Sequence, residues 1–159
     1  MAHSFYNSPA GTLSITASDS GITEIKFVPE ADQNTNAEPC NSVLNDCISQ
    51  LQEYFSETRK TFSIQLDPQG TPFQKEVWKE LQKIPFGKTI SYLELAKKLG
   101  NEKKIRAVGG ANGKNPIAIV IPCHRVIGSD GSLTGYAGGM DKKRWLLQFE
   151  GSFAQDLFS

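Results

Sequence analysis

Hydrophobic and polar residues alternate in three short stretches of the first half of the chain. The alternation in residues 13–16 and 22–27 predicts two half-buried strands, and the Asp-Ser-Gly at 19–21 predicts a hairpin turn between them. Residues 61–66 alternate in the same way and predict a further strand. Apolar residues recur at helical spacing over 43–55. The pattern therefore predicts an α+β first half.

The second half begins with residues that are typical of a helix start. Thr71 and Gln74 form a capping box ahead of an apolar stripe at helical spacing. Ser91 and Glu94 repeat the capping-box pattern and open a short helix, and a third helix is expected at about 102–110. Two short helices joined by a tight turn are typical of a helix-turn-helix, although an αα-hairpin without a role in DNA binding has the same pattern.

The last third of the chain mixes short strands with one helix. The apolar residues 117–121 predict a strand, and residues 126–127 and Leu133 flank a turn and predict a hairpin. Asp141 is expected to cap a last helix that ends at Glu150. A carboxylate at that end opposes the helix dipole, so Glu150 is either held by another group or solvated at a frayed end.

A turn at residues 67–70 separates two halves of opposite charge. Residues 1–70 hold three basic and nine acidic side chains, a net of −6, and residues 71–159 hold fourteen basic and eight acidic ones, a net of +6. We therefore expect two domains, 1–70 and 71–159. The positive charge of the second half is suited to binding a polyanion, although an uneven distribution of surface charges explains it equally well. The polar, non-periodic residues 29–39 are expected to form a loop.

Composition favours a cytoplasmic protein without a membrane span. The chain of 159 residues is 38% hydrophobic and contains no apolar run of transmembrane length, and residues 1–14 lack the pattern of a signal peptide. Three cysteines, an odd number, argue against a disulfide framework. Cys40 and Cys47 have no clustered histidines, so both are expected to be structural and no metal is expected.

The candidate chemistry lies at Cys123 and His124, which follow Pro122 at the end of an apolar stretch. A thiolate is a strong nucleophile, and a nearby imidazole is the usual means of generating one at neutral pH. Neighbours on a strand point to opposite faces, so the two side chains serve one pocket only if the strand breaks after Pro122 or a water bridges them. A buried cysteine beside a surface histidine is the plain alternative.

The second of the two short helices begins with basic residues and continues with residues that have small side chains or none. Lys103, Lys104 and Arg106 are followed by small residues that include Ala107 and Gly110. A basic helix with a bare face is suited to a narrow groove and to sequence-independent contact. Close packing against a neighbouring element is the alternative explanation of the small residues.

Five segments of the second half occur in an order that resembles a known family. They are Arg-Ala-Val-Gly-Gly-Ala at 106–111, Asn115-Pro116, Ile-Pro-Cys-His-Arg-Val at 121–126, Gly-Tyr-Ala-Gly-Gly at 135–139 and Trp-Leu-Leu at 145–147. The chain resembles the O6-alkylguanine-DNA alkyltransferases, the methylated-DNA–protein-cysteine methyltransferases. The resemblance covers residues 71–151. It implies an α+β two-domain protein, with a ribonuclease-H-like α/β structural domain followed by a winged-helix-like helix-turn-helix alkyltransferase domain.

The resemblance also implies roles in the transfer reaction. Cys123 would accept the alkyl group from O6 of guanine by in-line displacement, His124 would draw the thiol proton through a water, and Glu150 would orient His124. Tyr92 would contact the DNA backbone and donate to guanine N3. Asn115 would hinge the recognition helix to the active-site strand.

The resemblance further implies how DNA is held. Arg106 would fill the space left by a flipped nucleotide, because O6 cannot meet a thiolate inside the duplex. The N–H of Ala137 would bind O6, and the carbonyls of Cys123 and Val126 would bind the guanine amino group. The expected DNA contacts are Arg106, Tyr92, Ala107, Gly110, Lys103 and Lys104. The expected pocket residues are Tyr136, Ala137, Val126 and Pro122.

The implied function is direct-reversal DNA repair with a single turnover, because alkyl transfer leaves a thioether that water has no ready path to cleave. The substrate would be O6-alkylguanine in double-stranded DNA, bound from the minor groove, with O4-alkylthymine left open. The protein would be a monomer without a cofactor, in the cytoplasm with a bacterial nucleoid or in a eukaryotic nucleus. The alternatives are a Cys/His thiol hydrolase and a non-catalytic protein that binds alkylated DNA.

Overall fold

The computed structural model describes residues 1–30 and 41–152. Residues 31–40, which include Cys40 and most of the loop predicted at 29–39, lie outside the described residues. In the part of the chain that is described, no helix is both long enough and apolar enough to cross a membrane.

The chain forms two compact units. One consists of residues 1–71 together with 116–120, and the other of residues 72–115 together with the chain from 121 onward. The short segment 116–120 therefore belongs with the first unit, although it lies far along the sequence.

The first unit is built on an antiparallel three-stranded sheet in the order β1-β2-β3, with β1 at Ala2–Ser8, β2 at Gly11–Ala17 and β3 at Ile22–Phe27. The strands predicted at 13–16 and 22–27 are confirmed. Strand β1 was not expected from the pattern, because its residues are mostly half-buried and show no clear alternation.

Helix α1, Ser42–Phe55, packs against this sheet and confirms the helix predicted over 43–55. It begins at Asn41, whose side chain accepts a hydrogen bond from the Leu44 N–H at 2.7 Å. An asparagine at this position satisfies one of the backbone donors that a helix start leaves unpaired. The buried face of α1 consists of Leu44, Cys47, Leu51, Tyr54 and Phe55.

Two predicted strands are wrong. Residues 61–66 form no strand, and only Leu66 makes an isolated bridge, to Ile22. Residues 117–121 form none either. Ile117 makes a single bridge to Ile25, and the backbone then turns at Ile119, where φ is 71°. A run of apolar residues therefore marks burial here without regular strand structure.

The second unit begins with the first two of the three helices predicted after residue 70. Helix α2, Pro72–Leu81, begins where the sequence predicted, and strand β4, Ile90–Ser91, leads into helix α3, Tyr92–Lys98. Both hydrogen bonds of the capping box between Ser91 and Glu94 are present. This part of the prediction is confirmed because a capping box is a purely local arrangement.

The third predicted helix of the second half is longer than predicted. A 3-10 turn at Glu102–Lys104 leads into helix α4, Ile105–Gly113, whereas the sequence suggested a helix ending near Gly110. The side chain of Asn101 caps the 3-10 turn by accepting from the Lys103 N–H at 2.9 Å. Helix α4 tolerates two adjacent glycines because it packs against α2 and α3.

The end of the second unit corrects two further expectations. Strand β5, Val126–Ile127, pairs in parallel with β4 and does not form the hairpin predicted with Leu133. Helix α5, Met140–Phe149, has Gly139 at its N-cap, so Asp141 lies in the first turn and does not cap the helix. Helix α5 ends at Glu150, as predicted.

Candidate functional site

Cys123 and His124 lie in a single 3-10 turn, Cys123–Arg125, that starts directly after Pro122. The Cys123 N–H donates to the Ile121 carbonyl at 2.8 Å, and the Arg125 N–H donates to the Pro122 carbonyl at 3.0 Å. Successive residues of such a turn are rotated by about 120°, whereas neighbours on a strand point to opposite faces. The break after Pro122 that the chemistry requires is therefore present.

A buried network of charged side chains lies beside this turn. Nε2 of His124 is 2.9 Å from Oε2 of Glu150. The Arg125 guanidinium donates to both oxygens of the same carboxylate, from Nε to Oε1 at 2.8 Å and from Nη2 to Oε2 at 2.9 Å. All three residues are buried. Glu150 is therefore held by other groups, which offsets its unfavourable place at the C-terminal end of α5.

The surroundings keep both Cys123 and His124 uncharged at rest. Burial raises the pKa of the Cys123 thiol, although Asn115 and Lys143 act to lower it. Burial lowers the pKa of His124, despite the opposing effect of Glu150. Burial alone would raise the pKa of Glu150, but His124 and Arg125 hold it at about 2. The thiol therefore needs a base to remove its proton, and the neutral imidazole can act as that base.

Two asparagines at the end of α4 reach the turn that contains Cys123 and the residue before Pro122. Nδ2 of Asn115 donates to the Ile121 carbonyl at 2.7 Å, and Nδ2 of Asn112 lies 3.4 Å from the Cys123 carbonyl. Asn112 is buried, and its Oδ1 has no hydrogen-bond partner among the described residues. The asparagines connect the end of α4 to the backbone carbonyls of Ile121 and Cys123.

Lys143 is a second buried cation of the site. It lies on α5 and donates from Nζ to the carbonyls of Val126 at 2.7 Å and Thr134 at 2.8 Å. Burial lowers its pKa to about 8, and a thiolate at Cys123 would act in the opposite direction. Lys143 therefore ties the loop that contains Thr134 to strand β5.

The start of α4 and the turn before it present the predicted DNA contacts to solvent. Lys103, Lys104, Arg106, Ala107 and Gly110 are all exposed. A Cβ placed on Gly110 would meet no atom within 4 Å, so this part of the helix is open. Close packing against a neighbouring element explains the neighbouring Gly109, because a Cβ there would lie 3.7 Å from the Tyr92 ring, but it does not explain Gly110.

An open cleft of about 500 Å³ lies along α4. Tyr92 is half-buried at its edge, where its hydroxyl accepts from Thr134 Oγ1 at 3.1 Å. The cleft is lined by Tyr92, Ile105, Arg106, Gly109, Gly113, Thr134, Gly135, Tyr136 and Ala137. Of the predicted pocket residues, Tyr136 and Ala137 line this cleft. Val126 and Pro122 are instead buried on either side of the Cys123 turn.

Arg125, Lys143 and Asn112 were missed as site residues by sequence reasoning. A signal was available for Lys143, because it shares the inner face of α5 with Leu146, Leu147 and Glu150 at helical spacing. A charged pair on an otherwise apolar stripe indicates buried polar partners. Arg125 lies within the motif itself, and nothing in its local pattern indicates that it faces inward.

No group of three or more histidine, cysteine, aspartate or glutamate residues that could hold a metal ion occurs within residues 1–30 and 41–152.

Comparison with known proteins covers nearly the whole chain. Residues 1–68 match the family model described as 6-O-methylguanine DNA methyltransferase, ribonuclease-like domain. Residues 72–152 match the model described as 6-O-methylguanine DNA methyltransferase, DNA binding domain. Together with the strands and helices described above, these matches confirm the predicted α+β two-domain fold.

Individual relatives match over the same length. The methylated-DNA–protein-cysteine methyltransferase of Methanosarcina acetivorans is 42% identical over 155 residues, which cover 96% of this chain and 99% of the relative. The protein of the same name from Mycobacterium bovis is 43% identical and covers 93% of this chain and 91% of the relative. The structure of Mycobacterium tuberculosis OGT in complex with DNA has a TM-score of 0.85 and 43% identity, covering 96% of this chain and 94% of that one.

Proposed function

The chain belongs to the 6-O-methylguanine DNA methyltransferase family, and we propose on that premise that Cys123 is the residue that accepts the alkyl group. The protein is a DNA-binding repair enzyme that transfers alkyl groups from DNA to a cysteine of its own chain. The observation that carries the assignment to Cys123 is its position in one turn with His124, which contacts Glu150. Cys47, in contrast, is fully buried within α1.

His124 is the base for the Cys123 thiol. Nε2 of His124 is occupied by Glu150, so the proton goes to Nδ1, which has no hydrogen-bond partner among the described residues. A single water carries the proton from Sγ to Nδ1. The sulfur then attacks the alkyl carbon in line with the carbon–O6 bond, which breaks with its electron pair going to guanine. The Tyr92 hydroxyl supplies a proton at guanine N3, so that a neutral base departs.

The exposed end of α4 binds DNA from the minor groove. Ala107 and Gly110 bring the helix close to the groove, and Lys103 and Lys104 contact phosphates. Arg106 enters the base stack in place of the flipped nucleotide, because O6 takes part in base pairing and is not accessible inside the duplex. The cleft beside Arg106 then receives the flipped base.

The cleft orients the flipped guanine. Tyr136 forms its wall, and the backbone N–H of Ala137 binds O6. The carbonyls of Cys123 and Val126 accept from the guanine amino group, and Pro122 fixes the backbone that carries them. Because burial raises the pKa of Tyr136 well above its usual value, this side chain remains a neutral phenol throughout the reaction.

Asn115 is a hinge between the DNA-binding helix and the acceptor. Its amide bonds the Ile121 carbonyl at 2.7 Å and also acts on the Cys123 thiol. A displacement of α4 by DNA is therefore transmitted to the residues on either side of Cys123.

Transfer occurs once per molecule, because the product is a thioether. We assign binding and transfer to residues 71–159 and a structural role to residues 1–70. The protein acts as a monomer without a cofactor, on O6-alkylguanine in double-stranded DNA. It works where that DNA lies, in the cytoplasm with a bacterial nucleoid or in a eukaryotic nucleus.

The other functions considered explain less of the molecule. A Cys/His hydrolase accounts neither for the exposed basic start of α4 nor for the open glycine face beside it. A protein that binds alkylated DNA without transfer has no use for Cys123 next to a His–Glu pair. A chromogenic ester distinguishes the hydrolase, because it is cleaved with many turnovers only by that enzyme.

Mass spectrometry after mixing with an O6-methylguanine oligonucleotide tests the proposal. We expect one methyl group on the peptide that contains Cys123 and none on the peptide that contains Cys47. The Cys123→Ala variant should bind the oligonucleotide but transfer nothing, while Cys47→Ala should transfer normally. An unmodified Cys123 peptide, or transfer of several methyl groups per molecule, would contradict the assignment.

A further inference from the structure

The Arg125 side chain makes three hydrogen bonds in the site, although the transfer proposed above gives it no role. Its guanidinium makes two bonds to the Glu150 carboxylate, and Nη1 donates to the Ile84 carbonyl at 2.6 Å. The Phe86 ring lies over the guanidinium, with 5.9 Å between its centroid and Cζ. Arg125 is thus fixed from three directions and cannot exchange partners without disturbing each of them.

The bonds of Arg125 determine which nitrogen of His124 carries the proton. An ionised carboxylate only accepts hydrogen bonds, and a guanidinium only donates and stays charged. Oε2 of Glu150 accepts from Arg125 and lies 2.9 Å from Nε2 of His124, so Nε2 must carry a hydrogen. In a neutral imidazole the other nitrogen is then an acceptor. Nδ1 is therefore the only atom of the ring that can take a proton.

Arg125 also balances the charge that would otherwise attract a proton to His124. The charged and titratable groups that act on His124 or adjoin it are Glu150, Arg125, Lys143 and Cys123. Glu150 favours the imidazolium, whereas Arg125 and Lys143 disfavour it. The single negative charge of Glu150 is already paired with Arg125 in a bidentate arrangement, so a second cation at His124 would be uncompensated in the interior. Without Arg125, Glu150 and His124 would form an ordinary ion pair.

We propose that Arg125 is a positioning residue for the transfer, which holds the Glu150 carboxylate so that His124 stays neutral, donates from Nε2 and presents Nδ1 to the proton of Cys123. The inference rests on the proposed role of His124 as the base. It adds that the His–Glu pair works only together with Arg125. Without Arg125, His124 would become an imidazolium, which has no lone pair left to accept the proton of Cys123.

The pH dependence of single-turnover transfer tests this role. Methyl transfer from an O6-methylguanine oligonucleotide to excess protein would be timed between pH 5.5 and 9. In Arg125→Met, His124 should protonate at higher pH, so the acid limb of the profile should move to higher pH. If the limb moves by about one pH unit, the rate at the acid end should fall about tenfold further than in the wild type. Arg125→Lys keeps the cation and should keep the limb close to its wild-type position. Arg144→Met, an exposed arginine of α5, serves as the matched control.

The profile separates positioning from mere structure. A loss of the same size at every pH in Arg125→Met, with the acid limb unmoved, would overturn the proposal. A limb that moved as far in Arg125→Lys as in Arg125→Met would also contradict it, because the charge would then have no part. Movement of the limb in Arg125→Met alone supports it.

A second measurement does not depend on the variants being folded. The chain contains only two histidines, His3 and His124, so ¹⁵N spectra of the wild-type imidazoles can be assigned with a His3→Ala variant. We expect His124 to be neutral with its proton on Nε2 between pH 6.5 and 8. An imidazolium or an Nδ1–H tautomer would overturn the inference even if the methyl group is found on Cys123. An unmethylated Cys123 would instead overturn the proposed acceptor and leave the tautomer result unaffected.

Discussion

Two buried cysteines in this chain have opposite surroundings. Cys47 is fully buried on the apolar face of α1, and burial alone raises the pKa of its thiol to about 12. Cys123 is 7% exposed in a 3-10 turn, where Asn115 and Lys143 counteract the effect of burial and His124 is the next residue. Burial by itself makes a cysteine inert. What distinguishes Cys123 is the set of polar groups that is buried with it.

The same contrast extends to the two units. The buried polar residues that the structure describes in the first unit are hydroxyl residues, Thr12 and Ser14. Those of the second unit carry amide or titratable groups, and they are Asn112, His124, Arg125, Lys143 and Glu150. Buried charges are costly unless they are paired and hydrogen-bonded. His124, Arg125 and Glu150 bond one another, whereas Lys143 bonds only backbone carbonyls. The second unit therefore buries charged groups that depend on one another or on the backbone.

The largest effect on methyl transfer is expected from the substitution of His124, and the histidine of the first unit, His3, provides the control. His124→Ala should slow methyl transfer by about 10²–10⁴-fold, the usual contribution of a general base. His3→Ala is the matched control, since His3 lies on β1 and bonds Ser14 at 2.7 Å. It should leave the transfer rate unchanged. Single-turnover kinetics at pH 7.5 check both, and equal rates for His124→Ala and wild type would remove His124 from the mechanism.

Acid should destabilise the protein through the buried network of the second unit. The pKa of Glu150 is about 2 instead of 4.5, so its contribution is complete above pH 4.5 and is lost as the pH falls toward 2. The loss amounts to roughly 3 kcal/mol in the free energy of unfolding. Since the pKa of His124 is lowered from 6.5, the neutral buried form begins to lose its advantage as the pH falls below that value.

Urea unfolding between pH 7 and 3 measures this effect. Glu150→Gln should be less stable at neutral pH, because Arg125 loses its counter-ion, but should lose less stability than the wild type between pH 4.5 and 3. An equal loss in both proteins over that interval would assign the acid sensitivity to other carboxylates.

The sequence was informative where a structure is local. The capping box at Ser91 and Glu94, the helix start at Pro72 and the alternation of β2 and β3 each depend on residues that are near each other in the chain. Their hydrogen bonds and side-chain faces follow from spacing alone. These elements were predicted correctly for that reason.

The sequence was misleading where distant residues decide the outcome. The apolar stretch at 117–121 has the composition of a strand, yet it makes only an isolated strand bridge between Ile117 and Ile25, and the backbone turns at Ile119. Likewise β5 pairs with β4 and not with the nearby Leu133. Arg125 faces inward because Glu150, 25 positions later, lies there to receive it. Such pairings are not encoded in any local pattern.

Alkali should have a smaller effect, through Lys143. Its pKa is lowered from 10.5 to about 8, so the buried ammonium is a burden at neutral pH that is relieved as the pH rises from 8 toward 10.5. We expect the free energy of unfolding to rise over that interval, because the unfolded chain still carries the proton that the folded protein has lost. The stability of wild type minus that of Lys143→Met, measured by urea unfolding, isolates the effect because other titrating groups are common to both. If the difference in stability between wild type and Lys143→Met stayed constant from pH 8 to 10.5, burial would not destabilise the ammonium.

The smallest effect is expected at Cys47, and it returns to the two cysteines. Cys47→Ala removes one buried heavy atom from the contact of α1 with the sheet and should cost about 1 kcal/mol in the free energy of unfolding. The rate of methyl transfer should stay unchanged, because this thiol lies on the buried face of α1, where burial raises its pKa to about 12. Cys47→Ser is the sharper companion variant. It nearly preserves the volume but buries a hydroxyl in apolar surroundings, so it should be less stable than Cys47→Ala. If Cys47→Ser were instead as stable as the wild type, the surroundings of Cys47 would have to offer a hydrogen-bond partner. The two cysteines would then differ only in how many polar groups surround them.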